Sequence, residues 1–294
     1  MNRFAIVFAV VVLSWSAISA QQPANKVWTQ EDLFRRNVGS PDDQNTAFPP
    51  HKIVANIYYV GTNSLASFLI TTPQGHILIN TSYERTVPII KSSVEKLGFK
   101  FSDIKIILGS HAHGDHMEGD ALARELSGAQ VMAMAEDVPA LQRMQPGGKA
   151  HPIDKVLHDG DEVNLGGATL HALLTPGHTR GCTTWTMDVQ ENGKPLRVVI
   201  IGSLGVNPGF VLVNNKDAPQ IVDEFERAFK VMRSLRADVP LGSHPGMYNM
   251  AEKYARIGKG PNPYIDPAGY KAELDIVESV FRRALDEQRK TAAK

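Results

Sequence analysis

Intramolecular disulfides are excluded from the outset, because the chain has one cysteine, Cys182, in 294 residues and its fold has to rest on a core. Cys182 itself reads as a small buried residue that starts a strand. Long apolar runs are scarce too. The longest, Phe4 to Leu13, falls well short of the roughly 20 residues a membrane-spanning helix needs. An excess of one charge is also missing, since 31 Lys and Arg balance 31 Asp and Glu. No basic block exists, which argues against nucleic acid as a partner and against a nuclease. What remains is an ordinary globular composition, 43% hydrophobic, able to bury a sizeable core.

The short apolar run does fit a secretory leader. Met1-Asn2-Arg3 is cationic, the run follows, and the small residues of Ser16-Ala17-Ile18-Ser19-Ala20 prepare a cut after Ala20. Residues 1–20 are therefore expected to be a signal peptide, and the remainder an exported protein of the periplasm or beyond, without lasting membrane insertion.

Residues 21–50 are polar, end in Pro49-Pro50 and read as a loosely structured arm over the surface. From Ile53 the pattern turns strand-like, with Ile57–Val60, Ser67–Ile70 and His76–Ile79 separated by turns at Gly61 to Asn63 and Pro73 to Gly75. Helical spacing follows over Val87–Leu97, capped by Gly98, before the strand Ile104–Leu108 and a helix from about Asp120 to Leu126. The second half repeats the logic. Val131–Ala135 reads as a strand, Val138–Met144 as a helix, Asn164–Thr175 as a hairpin, and Thr183–Val189 and Leu196–Ile201 as strands. Gln220–Leu235 is an amphipathic helix, Val239–Leu241 a strand, and Tyr270–Lys290 a helix whose apolar stripe is a packing face. Two such halves without a linker predict an α/β fold with two mostly antiparallel or mixed sheets face to face and helices outside. That is a four-layer αββα sandwich, one domain over 21–294.

Chemistry concentrates at His111-Ala112-His113-Gly114-Asp115-His116, four metal-binding side chains in six residues. The motif follows a buried strand through Gly109-Ser110, so His111 and His113 can grip one metal while Asp115 and His116 turn to a second. Imidazole and carboxylate suit zinc, and two metals about 3.5–4 Å apart can share one activated water. With only ten histidines in the chain, three in six positions are not a chance cluster on a solvated loop. Two more, in Pro176-Gly177-His178 and Gly242-Ser243-His244-Pro245-Gly246, stand at strand ends in tight loops, where a rigid scaffold displays functional groups. His51, His76, His151, His158 and His171 lack such settings and are assigned to surface or packing roles.

From about Ile57 to Gly246, the order HxHxDH, Pro-Gly-His and a final His resembles the metallo-β-lactamase superfamily. That resemblance implies the αββα fold and a dinuclear centre, with one zinc on His111, His113 and His178 and another on Asp115, His116 and His244. In the glyoxalase and lactonase branches a Gly-Asp pair at the end of the next strand bridges both metals. Here Gly202-Ser203 stands in that place, and no carboxylate occurs between Glu191 and Asp217. Serine is too weak a ligand to bridge two cations, so the likeness narrows to the true β-lactamases. Cys182 is misplaced for the thiolate of subclasses B1 and B2, whereas Asp115-His116 and the segments Thr175–Trp185, Ile57–Gly61 and Gly242–Gly246 are similar to subclass B3. The chain departs from the family at Asn80-Thr81-Ser82, where Asp-Thr-Gly is frequent, and at Gly205, where some members carry a hydroxyl that contacts the substrate carboxylate. Substrate recognition is then expected to rest on Ser203, Asn207 or backbone donors.

The resemblance implies a zinc-dependent β-lactamase that opens the amide of penicillins, cephalosporins and carbapenems with water activated by two Zn2+ ions, and so confers antibiotic resistance. Asp115 is the expected catalytic group, orienting that water. No acyl-enzyme is needed, and neither is a second subunit, so a monomer acting on a small molecule suffices. The arm at 21–50 and the loop 144–148 are expected to frame the groove. One rival reading is a zinc lactonase or thioesterase of the same fold, against which Ser203 argues. The other is a periplasmic zinc-binding protein, which tight metal binding without turnover would mark.

Overall fold

The computed structural model describes residues 26–294, so the expected leader, 1–20, lies outside the described residues. Seven strands run side by side in chain order: β1 (His51–Val54), β2 (Ile57–Tyr59), β3 (Phe68–Thr72), β4 (Gly75–Ile79), β5 (Ile104–Leu108), β6 (Gln130–Met134) and β7 (Lys155–Leu157). The first four form an antiparallel meander; β4 through β7 are parallel. Five more strands make the second sheet: β8 (Glu162–Leu165), β9 (Ala168–Leu174), β10 (Thr183–Glu191), β11 (Lys194–Ile201) and β12 (Val239–Gly242). Hairpins join β8 to β11, and only β12 returns parallel. Helices are α1 (Gln30–Val38), α2 (Pro41–Asn45), α3 (Val87–Lys96), α4 (Gly114–Met117), α5 (Asp120–Ser127), α6 (Val138–Arg143), α7 (Ile221–Ser234), α8 (Met250–Ala255) and α9 (Pro267–Ala292). Parallel pairs need crossovers, and α3, α5 and α7 supply three of them.

Strand alternation sorts the side chains into layers. Phe68, Ile70, Ile77, Ile79, Ile106 and Leu108 enter a central core with Leu170, Ala172, Trp185 and Met187 of the second sheet. Their neighbours Leu69, Leu78 and Ile107 point the other way, into a second cluster with Val87, Ile90 and Val94 of α3 and Ala123 of α5. On the far side, Phe225 and Phe229 of α7 pack with Phe281 of α9, so helices cover both outer faces of the expected αββα sandwich. No helix among the described residues is long and apolar enough to cross a membrane.

One expectation needs correction. The arm is not loosely structured: α1 and α2 occupy most of its described part, each opened by a capping box, Thr29 with Asp32 and Ser40 with Asp43. Trp28 and Leu33 are buried. A nine-residue helix with one buried position has too little periodicity to stand out in sequence. The strands β1 and β7 and the helices α4 and α8 were likewise not expected from the pattern.

Candidate metal centre

Three loops meet at one edge of the sandwich, leaving the carboxyl ends of β5, β9 and β12. The loop after β5 is fastened across the sheets: the Trp185 indole donates to Gly109 O at 3.0 Å, and Thr183 N–H donates to Ser110 O at 2.8 Å. After β9, Gly177 adopts φ +129°, and a Cβ there would lie 2.7 Å from the Phe225 ring, so only glycine turns the chain tightly enough to present His178. After β12, Ala66 N–H donates to Ser243 O at 3.1 Å and fixes the residue before His244.

All six expected ligand residues converge. The ligand atoms of His111, His113 and His178 lie within 4.8 Å of one another, and those of Asp115, His116 and His244 do the same. The two groups touch through the His111 and His116 rings, whose centroids are 4.1 Å apart. Within the second group, Asp115 Oδ2 lies 3.4 Å from His116 Nε2 and 3.7 Å from His244 Nε2. His178 Nδ1 hydrogen-bonds Gly205 O at 2.7 Å and His244 Nδ1 hydrogen-bonds Ser64 O at 3.0 Å. A backbone carbonyl can only accept, so both rings carry their proton on Nδ1 and turn a bare Nε2 inward. His111 Nε2 and both nitrogens of His116 are buried with no hydrogen-bond partner. Orphaned ring nitrogens at the meeting point of five imidazoles and a carboxylate are the chemistry of a cation site, and the donor set fits zinc.

Charge agrees with that fit. Burial lowers His111 well below the usual histidine value, reinforced by His116 and the other facing rings. Burial also brings His116 to about 3 against the pull of Asp115, and His178 to about 3. Burial raises Asp115, but His116 and His244 outweigh it and hold the carboxyl at about 2. At neutral pH His111, His116 and His178 thus offer lone pairs and Asp115 is ionised.

The turn after β4 anchors the motif from below. Asn80, at φ 62°, accepts from Ser110 N–H at 2.9 Å and donates its amide to Ala66 O at 3.3 Å. A carboxylate could not make that second bond, so Asn80 stiffens the loop in this setting. Thr81 and Ser82 N–H both donate to His116 O at 3.0 Å.

Sequence reasoning missed one group altogether. Asp137 is buried and accepts from Ala112 N–H at 2.8 Å, Gly181 N–H at 2.8 Å and the Thr179 hydroxyl at 3.0 Å, tying the His111–His113 loop to the His178 loop. Nothing in the sequence marks it, because its partners are two backbone N–H groups and a hydroxyl brought by tertiary structure. The cavity wall was expected of the arm, but without named residues in it. A cavity of about 170 Å³ opens over the histidines, and α1 lines one side with Leu33, Phe34, Asn37 and Val38. Tyr83, Ser203 and Asn207 also border it, but no residue of 144–148 does, so only the arm half of the expected frame is at the site. Of the other histidines, His51, His76 and His151 are buried and His158 is exposed, all away from the cluster. Cys182 is buried, directly before β10.

Comparison with known proteins agrees with this geometry. The family model of the metallo-beta-lactamase superfamily matches residues 61–244. The native FEZ-1 metallo-beta-lactamase from Legionella gormanii superposes with a TM-score of 0.81 at 47% identity, over 83% of this chain and 98% of that one. BJP-1, a subclass B3 metallo-beta-lactamase of Bradyrhizobium japonicum, gives a TM-score of 0.78 at 35% identity, over 85% of this chain and 98% of that one. A curated relative, hydroxyacylglutathione hydrolase of Cereibacter sphaeroides, is 40% identical over 75 residues, and the match spans only 26% of either protein's length. On fold, site and similarity together, the chain belongs to the metallo-β-lactamase superfamily of metallohydrolases, with subclass B3 enzymes among its structural neighbours.

Proposed function

We propose that this protein is a subclass B3-like zinc β-lactamase. Ser203 carries the reading: it borders the cavity where a bridging carboxylate would stand in the lactonase and glyoxalase branches, and among the described residues Asp115 is the only acidic side chain lining the cavity. One zinc would be held by His111, His113 and His178, and a second by Asp115, His116 and His244. Zinc supplies Lewis-acid polarisation of the amide carbonyl and lowers the pKa of water to about 7.

The side chains do the rest. Neutral His178 and His244 hold their tautomers through Gly205 O and Ser64 O, so their inward nitrogens stay fixed during turnover. Asp115 faces both His116 and His244 with Oδ2, leaving Oδ1 to orient the attacking water, take its proton and return it to the departing amide nitrogen. Ser203 and Asn207 border the cavity as polar contacts for the substrate. No covalent step through this chain is required. Burial pushes the Cys182 thiol up, and among the described residues the hydrogen bond of Ser203 Oγ is the one from Gly205 N–H at 3.3 Å, with none to a basic side chain.

Both groups of ligands come from one chain, so a monomer is complete. Export through residues 1–20 would place it among its substrates in the periplasm and make the host resistant. The decisive experiment is hydrolysis of nitrocefin and imipenem by the purified protein, with EDTA and with zinc restored. Turnover abolished by EDTA and recovered with zinc is expected. A folded, zinc-loaded protein that left both intact would sink the reading. The hydroxyacylglutathione hydrolase match favours a thioesterase as the second reading, and S-lactoylglutathione turnover would support it.

A further inference from the structure

Beyond the metal groups, the cavity is bordered by a carboxamide whose orientation is fixed from outside. Asn37 stands on α1, and its Oδ1 accepts from Arg36 Nε at 3.0 Å. The remaining guanidinium nitrogens of Arg36 grip Glu273 of α9 at 2.7 and 2.6 Å, in a pair that is nearly buried. All three donor nitrogens of Arg36 are thereby committed, two to a carboxylate and one to Asn37. The backbone of Arg36 is equally constrained, since a Cβ on Gly246 would lie 2.6 Å from Arg36 O. With its oxygen taken, the Asn37 amide keeps two N–H donors and no acceptor among the described residues. Ser203 adds a second donor, because its Oγ already accepts from Gly205 N–H and its own proton is free. Asn207, by contrast, accepts from Gln30 and Phe210 with its backbone carbonyl, and its side chain has no partner among the described residues to aim it. Gly205 contributes no side chain at all.

We infer that Asn37, aimed by the Arg36–Glu273 pair, is a specificity-determining residue that donates to the carboxylate of the substrate. The inference rests on the β-lactamase reading for the choice of substrate. It makes α1 and α9 part of the recognition apparatus, Asn37 by contact and Arg36 and Glu273 by positioning.

The test compares the zinc-loaded wild type with Asn37→Ala, Glu273→Gln and the double variant, on benzylpenicillin and its methyl ester, after checking equal zinc content and Tm. Asn37→Ala should raise KM for the acid about tenfold, the loss of one hydrogen bond to a charged group, and leave kcat within about twofold. It should not change KM for the ester. Glu273→Gln should give part of the same effect and add nothing to Asn37→Ala, as expected for two residues acting through one contact. Calorimetric binding of benzylpenicilloate, the hydrolysed acid, should weaken by the same factor without any turnover. Unchanged KM and binding in Asn37→Ala, or equal losses for acid and ester, would overturn the contact. Full additivity with Glu273→Gln would overturn the positioning. If the wild type left benzylpenicillin intact, the β-lactamase reading would fall separately. The Asn37 contact would then be read with S-lactoylglutathione, another carboxylate, and a wild type that binds neither acid overturns both.

Discussion

The two sides of the cavity are built differently. The metal side is made of loops between strands, each fastened by short, buried hydrogen bonds: Trp185 and Thr183 on the 109–110 turn, Asn80 on Ser110, Asp137 across two loops. The opposite side is a single short helix, α1, laid over the opening and held by a few long-range anchors. Gln30 reaches Val206 O and Asn207 O, Arg36 reaches Glu273, and Leu33 enters the core. Chemistry that depends on sub-ångström placement of metal ligands sits where the sheets enforce it. Recognition, which tolerates variation in shape, sits on an element that can change without disturbing the sheets. The two sides should therefore fail separately.

The strongest way to break this contrast is at the metal side. His178→Ala should lose zinc and turnover together, with kcat/KM falling by about three orders of magnitude or more. Full zinc content with full turnover would remove His178 from the ligand set. Asp137→Ala should come next. Freed of their shared acceptor, the two ligand loops should bind zinc about 10–100-fold more weakly, as for other groups that hold ligands in place, and a competition assay with a chromophoric chelator reads this directly. Unchanged zinc affinity would show that the sheets alone position the loops.

On the other side, Leu33→Ala should cost about 2–3 kcal/mol of stability, the low end for a buried leucine beside an opening that can relax. It should raise KM while zinc content stays at the wild-type level. A loss of zinc in this variant would mean that the wall and the metal loops are one unit, which would undo the contrast.

The smallest expected effect is a pH dependence behind the metal loop. His151 Nε2 lies 3.3 Å from Asp120 Oδ2, and both side chains are fully buried. Burial lowers the His151 pKa, but Asp120 and the Met117 carbonyl outweigh it and leave the value raised. A raised folded-state pKa means the contribution is complete below the unfolded value and disappears as pH rises through the folded one. The stability gap between wild type and His151→Gln, from urea unfolding, should therefore narrow as pH rises from about 6.5, the ordinary histidine value, into the alkaline range. A gap that widened over that range would refute the pairing.

The motif residues were legible because local spacing encoded them. His111, His113, Asp115 and His116 lie on one turn, and His178 and His244 stand behind glycine and proline signals that any chain-level reading finds. The β-strands were legible for the same reason, since Phe68 through Ile70 and Ile77 through Ile79 alternate between two cores. Residues that act through distant partners were not. Asp137 looks like any acidic residue before a helix, and Asn37 like any polar residue in a polar arm. Their partners are 25 to 44 residues away for Asp137, and for the Arg36 that aims Asn37 the partner is 237 away.

Sequence alone thus determined the candidate metal donors, the neutral charge balance and the layer order, because each depends on residue type and on periods of a few positions. The fastening of two ligand loops by Asp137 and the placing of α1 over the cavity were decided only by tertiary structure. Both depend on which distant groups come within about 3 Å, a distance at which hydrogen bonds form and which no local pattern specifies.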